Sequence, residues 1–279
     1  MVSGLTADRS RARLRDGSLA GISIVAGGLF LAFVAIALLA LVFQRPATGG
    51  WASFELDGTS RELVRRALLV SFESTLACVL VIVITGTPLA LLLARPFRGR
   101  EVLEAFVSLP VVLPPVVAGL ALLLAFGRRG LLGHALDAAG IHIPFTLVAV
   151  VMAQTLVAAP LYIIAARNAF EQTNPELVDA AATLRASFTY TVWRVILPPV
   201  LPALGAGLAL AWARALGEFG ATLMFAGNLP GVTQTMPVAI FFTAQTNLEV
   251  AVTISLILLA ISFLVLVATR FFQTRMIRV

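Results

Sequence analysis

Two side chains of opposite charge, Arg214 and Glu218, stand four residues apart inside an otherwise apolar run, residues 200–226. On a helix that spacing puts both on one face. A lone charge at the centre of a bilayer costs about 3 kcal/mol or more, so such groups turn toward a bundle interior or water. Two readings follow: a pathway or gate element that switches between conformations, or a static ion pair that packs two helices. Gly217 and Gly220 beside them permit close backbone approach, which suits either. Glu73, alone in the run 67–94, sits on the bundle interior or within snorkelling reach of the outer interface, and no role is assigned to it.

Other chemistry is scarce. The single cysteine, Cys78, can form neither an internal disulfide nor a thiolate metal site. His134 and His142 lie in a polar loop without ligand spacing, so no metal site is expected. No Gly-x-x-x-x-Gly-Lys-Ser/Thr loop is present to cradle ATP phosphates. No His-Glu metal motif or Ser/Lys pair lies in the apolar runs, which argues against an intramembrane enzyme. The sequence therefore predicts a chain without a cofactor and without chemistry of its own.

The elements around these residues are set by composition. Hydrophobic residues make up 59% of the 279 and charged residues only 12%, roughly half the share usual for soluble proteins. The surplus must face lipid, and the fold class expected is an all-α membrane protein. Apolar runs long enough to cross about 30 Å of hydrocarbon fall at 19–43, 67–94, 107–126, 145–166, 200–226 and 250–268, giving six transmembrane helices. The first, charge-free over its whole length, is read as a retained span rather than a signal peptide. Prolines 110, 114 and 115 are expected near the start of the third span, and Pro198, Pro199 and Pro202 near the start of the fifth.

All twenty basic residues are arginine. Thirteen collect in the N-terminal tail, the 95–100 loop, the 167–194 loop and the C-terminal tail, whereas six fall in the alternate loops. This bias places both termini in the cytoplasm. Arginines at span ends read an anionic membrane surface, not nucleic acid. The organisation expected is a cytoplasmic Arg-rich tail (1–18), a first span (19–43), a membrane core (60–270) and a cytoplasmic tail (271–279).

The loop 167–199 is the least membrane-like interior segment. Asn174 is a good N-cap, Pro175 suits the first helical position, and Glu176 and Asp179 favour the positive helix end. Leu177, Ala181 and Leu184 form a short apolar stripe, and a second amphipathic piece covers 188–196. A capped helical hairpin this long exceeds a simple connection, which points to a docking element.

Here a resemblance becomes specific. Asp179-Ala180-Ala181, then Arg185, then Val195-x-Leu197-Pro198 resembles the EAA loop of bacterial ABC importer permeases, a Glu-Ala-Ala…Gly…Ile-x-Leu-Pro pattern, with the same spacing. The resemblance implies a coupling helix that fits a groove on a cytoplasmic ATPase, with Glu176, Asp179, Ala180, Ala181, Leu184 and Arg185 as the coupling residues. Two positions depart from the pattern: Asp179 replaces Glu, and Arg185 replaces the Gly that bends the chain, so a shifted or less sharp turn is expected.

The proline-rich segment 108–119 with Gly127-Arg128-Arg129-Gly130 is similar to the third span of molybdate permeases. The run 213–231 leading into Thr233-Gln234-Thr235-Met236-Pro237 resembles the molybdate and sulfate branch and leans to molybdate. The likeness covers residues 60–270. It implies the permease fold, a homodimer, two cytoplasmic ABC ATPase subunits and a periplasmic or lipid-anchored oxyanion-binding protein, in the inner membrane of a bacterium. The cargo implied is molybdate or tungstate. Sulfate or thiosulfate is the alternative, and an ion-gradient-driven secondary transporter is the rival from another class. Alongside Arg214 and Glu218, the uncharged outer segment offers Asn228, Thr233, Gln234 and Thr235 as pathway residues: neutral donors that touch a tetrahedral dianion without holding it strongly, or a rigid lining for the docked binding protein.

Overall fold

The computed structural model describes residues 3–43 and 57–276, all helix and connecting turns. The chain divides into two compact units, 1–55 and 56–279. The side chains of Arg9, Arg11, Arg13, Arg15, Arg270 and Arg275, together with Arg45 and Arg278, lie outside the described residues.

The described residues of the first unit form one helix, α1 (Ser3–Phe43). Its apolar stretch, Gly21–Phe43, is long enough to cross a membrane, matching the expected first span. The helix continues without a break back into the segment expected to be a tail.

In the second unit three long helices pack on one another: α2 (Gly58–Leu93), α6 (Leu147–Glu171) and α9 (Leu197–Leu216). Small residues bring them together. A Cβ on Gly207 would lie 2.7 Å from the Ala165 Cβ, and one on Gly86 3.1 Å from Ile163. Ala158, Ala166, Ala211 and Ala215 are fully buried at these crossings. Without a water-driven force between helices in lipid, such close approach supplies the packing. A second cluster joins α2 through Val64 and Ala67 to α11 (Met236–Thr243) and α12 (Leu248–Met276) through Met236, Ala239, Val250 and Ile254.

Two of the expected spans are not single rods. The third is a pair, α3 (Arg100–Val112) and α4 (Pro115–Phe126), bent by 115°. Leu113 is extended (φ −66°, ψ 134°), the conformation a following proline imposes, and Pro114 and Pro115 remove two successive donors. The prolines thus sit at a mid-segment bend, not at the beginning of a span. Each arm, 13 and 12 residues, spans only about 20 Å, so neither crosses alone. The fifth expected span is also interrupted. α9 stops at Leu216, and α10 (Gly220–Ala226) starts after a break at Gly217–Phe219. Segment 227–246, whose secondary structure the sequence left open, contains α11.

Shorter elements complete the unit: α5 (Gly133–Ala138), α7 (Pro175–Thr183) and α8 (Phe188–Thr191). A π-helical turn, Val192–Ile196, joins α8 to α9 just before Pro198 and Pro199. Prolines that cannot donate loosen the preceding ladder, and a π bulge is one relaxed solution.

Candidate coupling loop and helix breaks

The loop between α6 and α9 is built from local signals. Asn174 Oδ1 accepts from the Glu176 N–H at 2.9 Å, capping α7, and Pro175 occupies the first turn. At the other end Arg185 N–H donates to the Ala182 carbonyl (2.9 Å) and Ala186 N–H to the Ala181 carbonyl (3.0 Å). That pair of bonds is a Schellman cap, which demands a left-handed residue between them. Arg185 supplies it at φ 55°. The shifted or less sharp turn expected of a non-glycine here is not found: the cap forms and Arg185 takes the strained conformation. Ser187 Oγ then caps α8 by accepting from Tyr190 N–H at 3.2 Å.

This hairpin is anchored on one side. Val178 packs against the core cluster that contains Phe170 and Ile196, and Ala181 is buried. Glu176, Asp179, Ala180 and Arg185 are exposed, as are Leu177 (49%) and Leu184 (82%). The apolar stripe is therefore split: its middle residue faces the core and its two leucines face outward. Among the described residues no ion pair engages Glu176, Asp179 or Arg185. The outward face offers two apolar knobs ringed by charge.

Behind the hairpin lies a four-membered ion-pair square that the sequence reading did not identify. On α3, Arg100 pairs with Glu104 at 2.5 Å. On α6, Arg167 Nε lies 3.7 Å from Glu171. Across the helices Arg167 pairs with Glu104 at 2.8 Å, and Arg100 pairs with Glu171. Arg95, from the α2–α3 turn, stacks over the Phe188 ring, 4.9 Å from its centroid. The signal was present as an Arg-Glu spacing of four on two segments, but nothing local says that the two pairs meet.

Arg214 and Glu218 are brought together, at 2.8 Å, but not along one helix face as expected. Glu218 stands in the break. Its Oε2 pairs with Arg214, in the last turn of α9, while its Oε1 accepts from Ala221 N–H at 2.8 Å at the start of α10. Each charge sits at the helix end whose dipole favours it. Glu218 is 1% exposed and Arg214 35%. The two breaks also touch each other. A Cβ on Gly220 would lie 3.1 Å from Pro115, and one on Gly119 2.7 Å from the Ala221 carbonyl. Discontinuous helices that meet in this way recur at transport sites, where freed backbone groups face a pathway.

The polar residues of segment 228–235 are spent largely within the chain. Gln234 Nε2 donates to Asn228 Oδ1 at 2.8 Å, and Leu229 N–H donates to Thr233 Oγ1 at 3.0 Å. Thr233, Gln234 and Thr235 are buried, and Met236 N–H donates to Ser71 Oγ at 2.8 Å, a partner the sequence did not suggest. Thr235 Oγ1 and Gln234 Oε1 remain without hydrogen-bond partners. The residues of the loop and those of the breaks lie at opposite ends of α9, which runs from the π-helical turn to the break at Gly217.

Among the described residues no cluster of three or more His, Cys, Asp or Glu side chains could hold a metal. His142 Nδ1 lies 3.0 Å from Asp137, beside a cavity of about 450 Å³ lined also by Phe126, Arg128 and Phe145. Glu73 is exposed on α2.

Residues 86–278 match the family described as the binding-protein-dependent transport system inner membrane component. The molybdenum transport system permease protein ModB of Mycobacterium tuberculosis is 44% identical over 237 residues, 84% of this chain and 88% of that protein. A probable sulfate transport system permease protein of Chlorokybus atmophyticus is 37% identical over 191 residues, 68% of this chain and 67% of its own. The crystal structure of a bacterial alginate ABC transporter, bound to its alginate-loaded periplasmic protein, contains a chain that matches the fold with a TM-score of 0.72 at 14% identity, covering 95% of this chain and 96% of that one. Family match and helical architecture agree, and the chain belongs to the inner membrane components of binding-protein-dependent transport systems, a transport subunit rather than an enzyme.

Proposed function

We propose that this chain is the permease of an ATP-driven importer of molybdate or tungstate. Two copies form the pathway in the inner membrane with both termini cytoplasmic. Two ATPase subunits dock on the 167–199 loop, and an oxyanion-binding protein docks outside. The observation that carries the docking reading is the hairpin itself: capped at both ends, pinned through Val178, and presenting Leu177, Leu184, Glu176 and Asp179 outward. A segment ordered this firmly and yet exposing leucines fits a partner's groove. The 44% identity to a molybdenum permease favours the cargo over sulfate.

In this reading, nucleotide-driven closure of the ATPases displaces the α7 hairpins. The paired helix breaks, with Glu218 holding Arg214 and the α10 terminus together, are where the pathway opens and closes. Neutral groups of the 228–235 segment, of which the Thr235 hydroxyl remains without a partner, pass a dianion without trapping it. The test is ATP hydrolysis by proteoliposomes that hold the permease, its ATPase and the binding protein, with molybdate, tungstate or sulfate in turn. Stimulation by molybdate or tungstate, abolished by Asp179→Arg, is expected. Stimulation by sulfate alone would reassign the cargo. Uptake that needs no ATPase would instead favour a gradient-driven carrier.

A further inference from the structure

The square of Arg100, Glu104, Arg167 and Glu171 has an arrangement that local helix physics does not explain. Arg100 is the first residue of α3 and Glu171 the last of α6. A cation at a helix N-terminus and an anion at a C-terminus both oppose the helix dipole. Each is placed against the local preference, and each finds its counter-charge on the other helix. Both i,i+4 pairs run Arg then Glu, and because the two helices are antiparallel each Arg faces a Glu across the gap, so the four charges alternate around a closed ring. The four side chains are 23–31% exposed, so solvent still reaches the ring and its strength lies in four mutual pairings, not in burial.

Its position matters as much as its pairing. Glu171 ends α6 three residues before the Asn174 cap of the α7 hairpin. Arg95 on Phe188 ties the far side of the same hairpin to the α2–α3 turn. α3 leads through the 115° bend to α4, whose Gly119 abuts α10 beside the Glu218–Arg214 pair. One route of contact from hairpin to helix breaks thus passes through this ring, beside the continuous helix α9 that also joins them.

We infer that Arg100, Glu104, Arg167 and Glu171 form a transmission joint: positioning residues that clamp the base of the ATPase-facing hairpin to α3, so that hairpin motion becomes motion of the α3–α4 bend. The joint rests on the coupling role proposed above for the 167–199 loop. It requires mutual pairing and not any one charge, and it stays closed while the bend at Leu113–Pro114 moves.

The experiment uses the complete complex in proteoliposomes and reads three quantities: co-purification with the ATPase, ATP hydrolysis, and molybdate taken up per ATP. The variants are Arg100→Ala, Glu171→Ala and the full reversal Arg100→Glu/Glu104→Arg/Arg167→Glu/Glu171→Arg, which leaves net charge unchanged. The alanine variants should assemble and hydrolyse ATP within about twofold of wild type, while uptake per ATP falls about tenfold, within the usual range of coupling between sites. The reversal should restore it. Alanine variants that assemble with unchanged uptake per ATP overturn the joint. If they fail to assemble, the reversal decides: normal coupling supports the joint, whereas lost coupling or failed assembly overturns it. A wild-type complex without ATP-dependent uptake would instead sink the importer reading, and the joint with it.

Discussion

Replacing Arg185 by glycine should strengthen the α7 hairpin, although it deletes a side chain from the exposed loop. Arg185 holds φ 55° because the Schellman cap needs a left-handed residue, and its own N–H and that of Ala186 close the cap at 2.9 and 3.0 Å. A side chain with a Cβ gives up about 1–2 kcal/mol in that conformation. Glycine avoids this cost but has about 0.4–1 kcal/mol more unfolded-chain entropy to lose. The difference leaves a gain of about 0.5–1 kcal/mol. Among the described residues no ion pair of Arg185 is lost to offset it. The gain is best read locally, by hydrogen exchange at the Arg185 and Ala186 positions, whose amides open with the cap. Exchange should slow about two- to fivefold, and substrate-stimulated ATP hydrolysis should persist. Arg185→Val should act in the opposite direction, because a β-branched residue is an outlier at positive φ. Faster exchange in the glycine variant, or slower exchange in the valine variant, would refute the assignment of strain to this residue.

Three further outcomes follow from the geometry. Gly119→Ala would bring a Cβ to 2.7 Å from the Ala221 carbonyl and 2.8 Å from Met224, and should lower stability by about 1–3 kcal/mol in detergent melts. Glu218→Ala removes both the α10 cap and the partner of Arg214, and should destabilise by about 2–4 kcal/mol. Glu218→Gln keeps an acceptor for Ala221, so it should melt closer to wild type while still impairing uptake. Ser71→Ala strands the buried Met236 N–H and should cost about 1–3 kcal/mol in the same melts, with the loss localised by exchange at the start of α11.

Hydropathy and capping are properties of neighbouring residues, and what depends on them could be read from the chain alone. The apolar runs, the membrane class and the boundaries of the α7 hairpin are of this kind: Asn174, Pro175 and Glu176 do in the structure what their types imply. Family motifs such as Asp179-Ala180-Ala181 were likewise legible because they are contiguous. Tertiary structure decided where those runs break. Whether Pro114 and Pro115 begin a span or bend one depends on α10 lying against them, and the break at Gly217 depends on Glu218 finding both Arg214 and the α10 terminus. It also decided that Arg185 would bear a conformation glycine takes freely, because the cap bonds to Ala181 and Ala182 outweigh its strain. The longest-range facts were the least visible. Arg100 meets Glu171 across 71 residues and Met236 meets Ser71 across 165. No local preference encodes such partners; they exist only once packed helices exclude the alternatives.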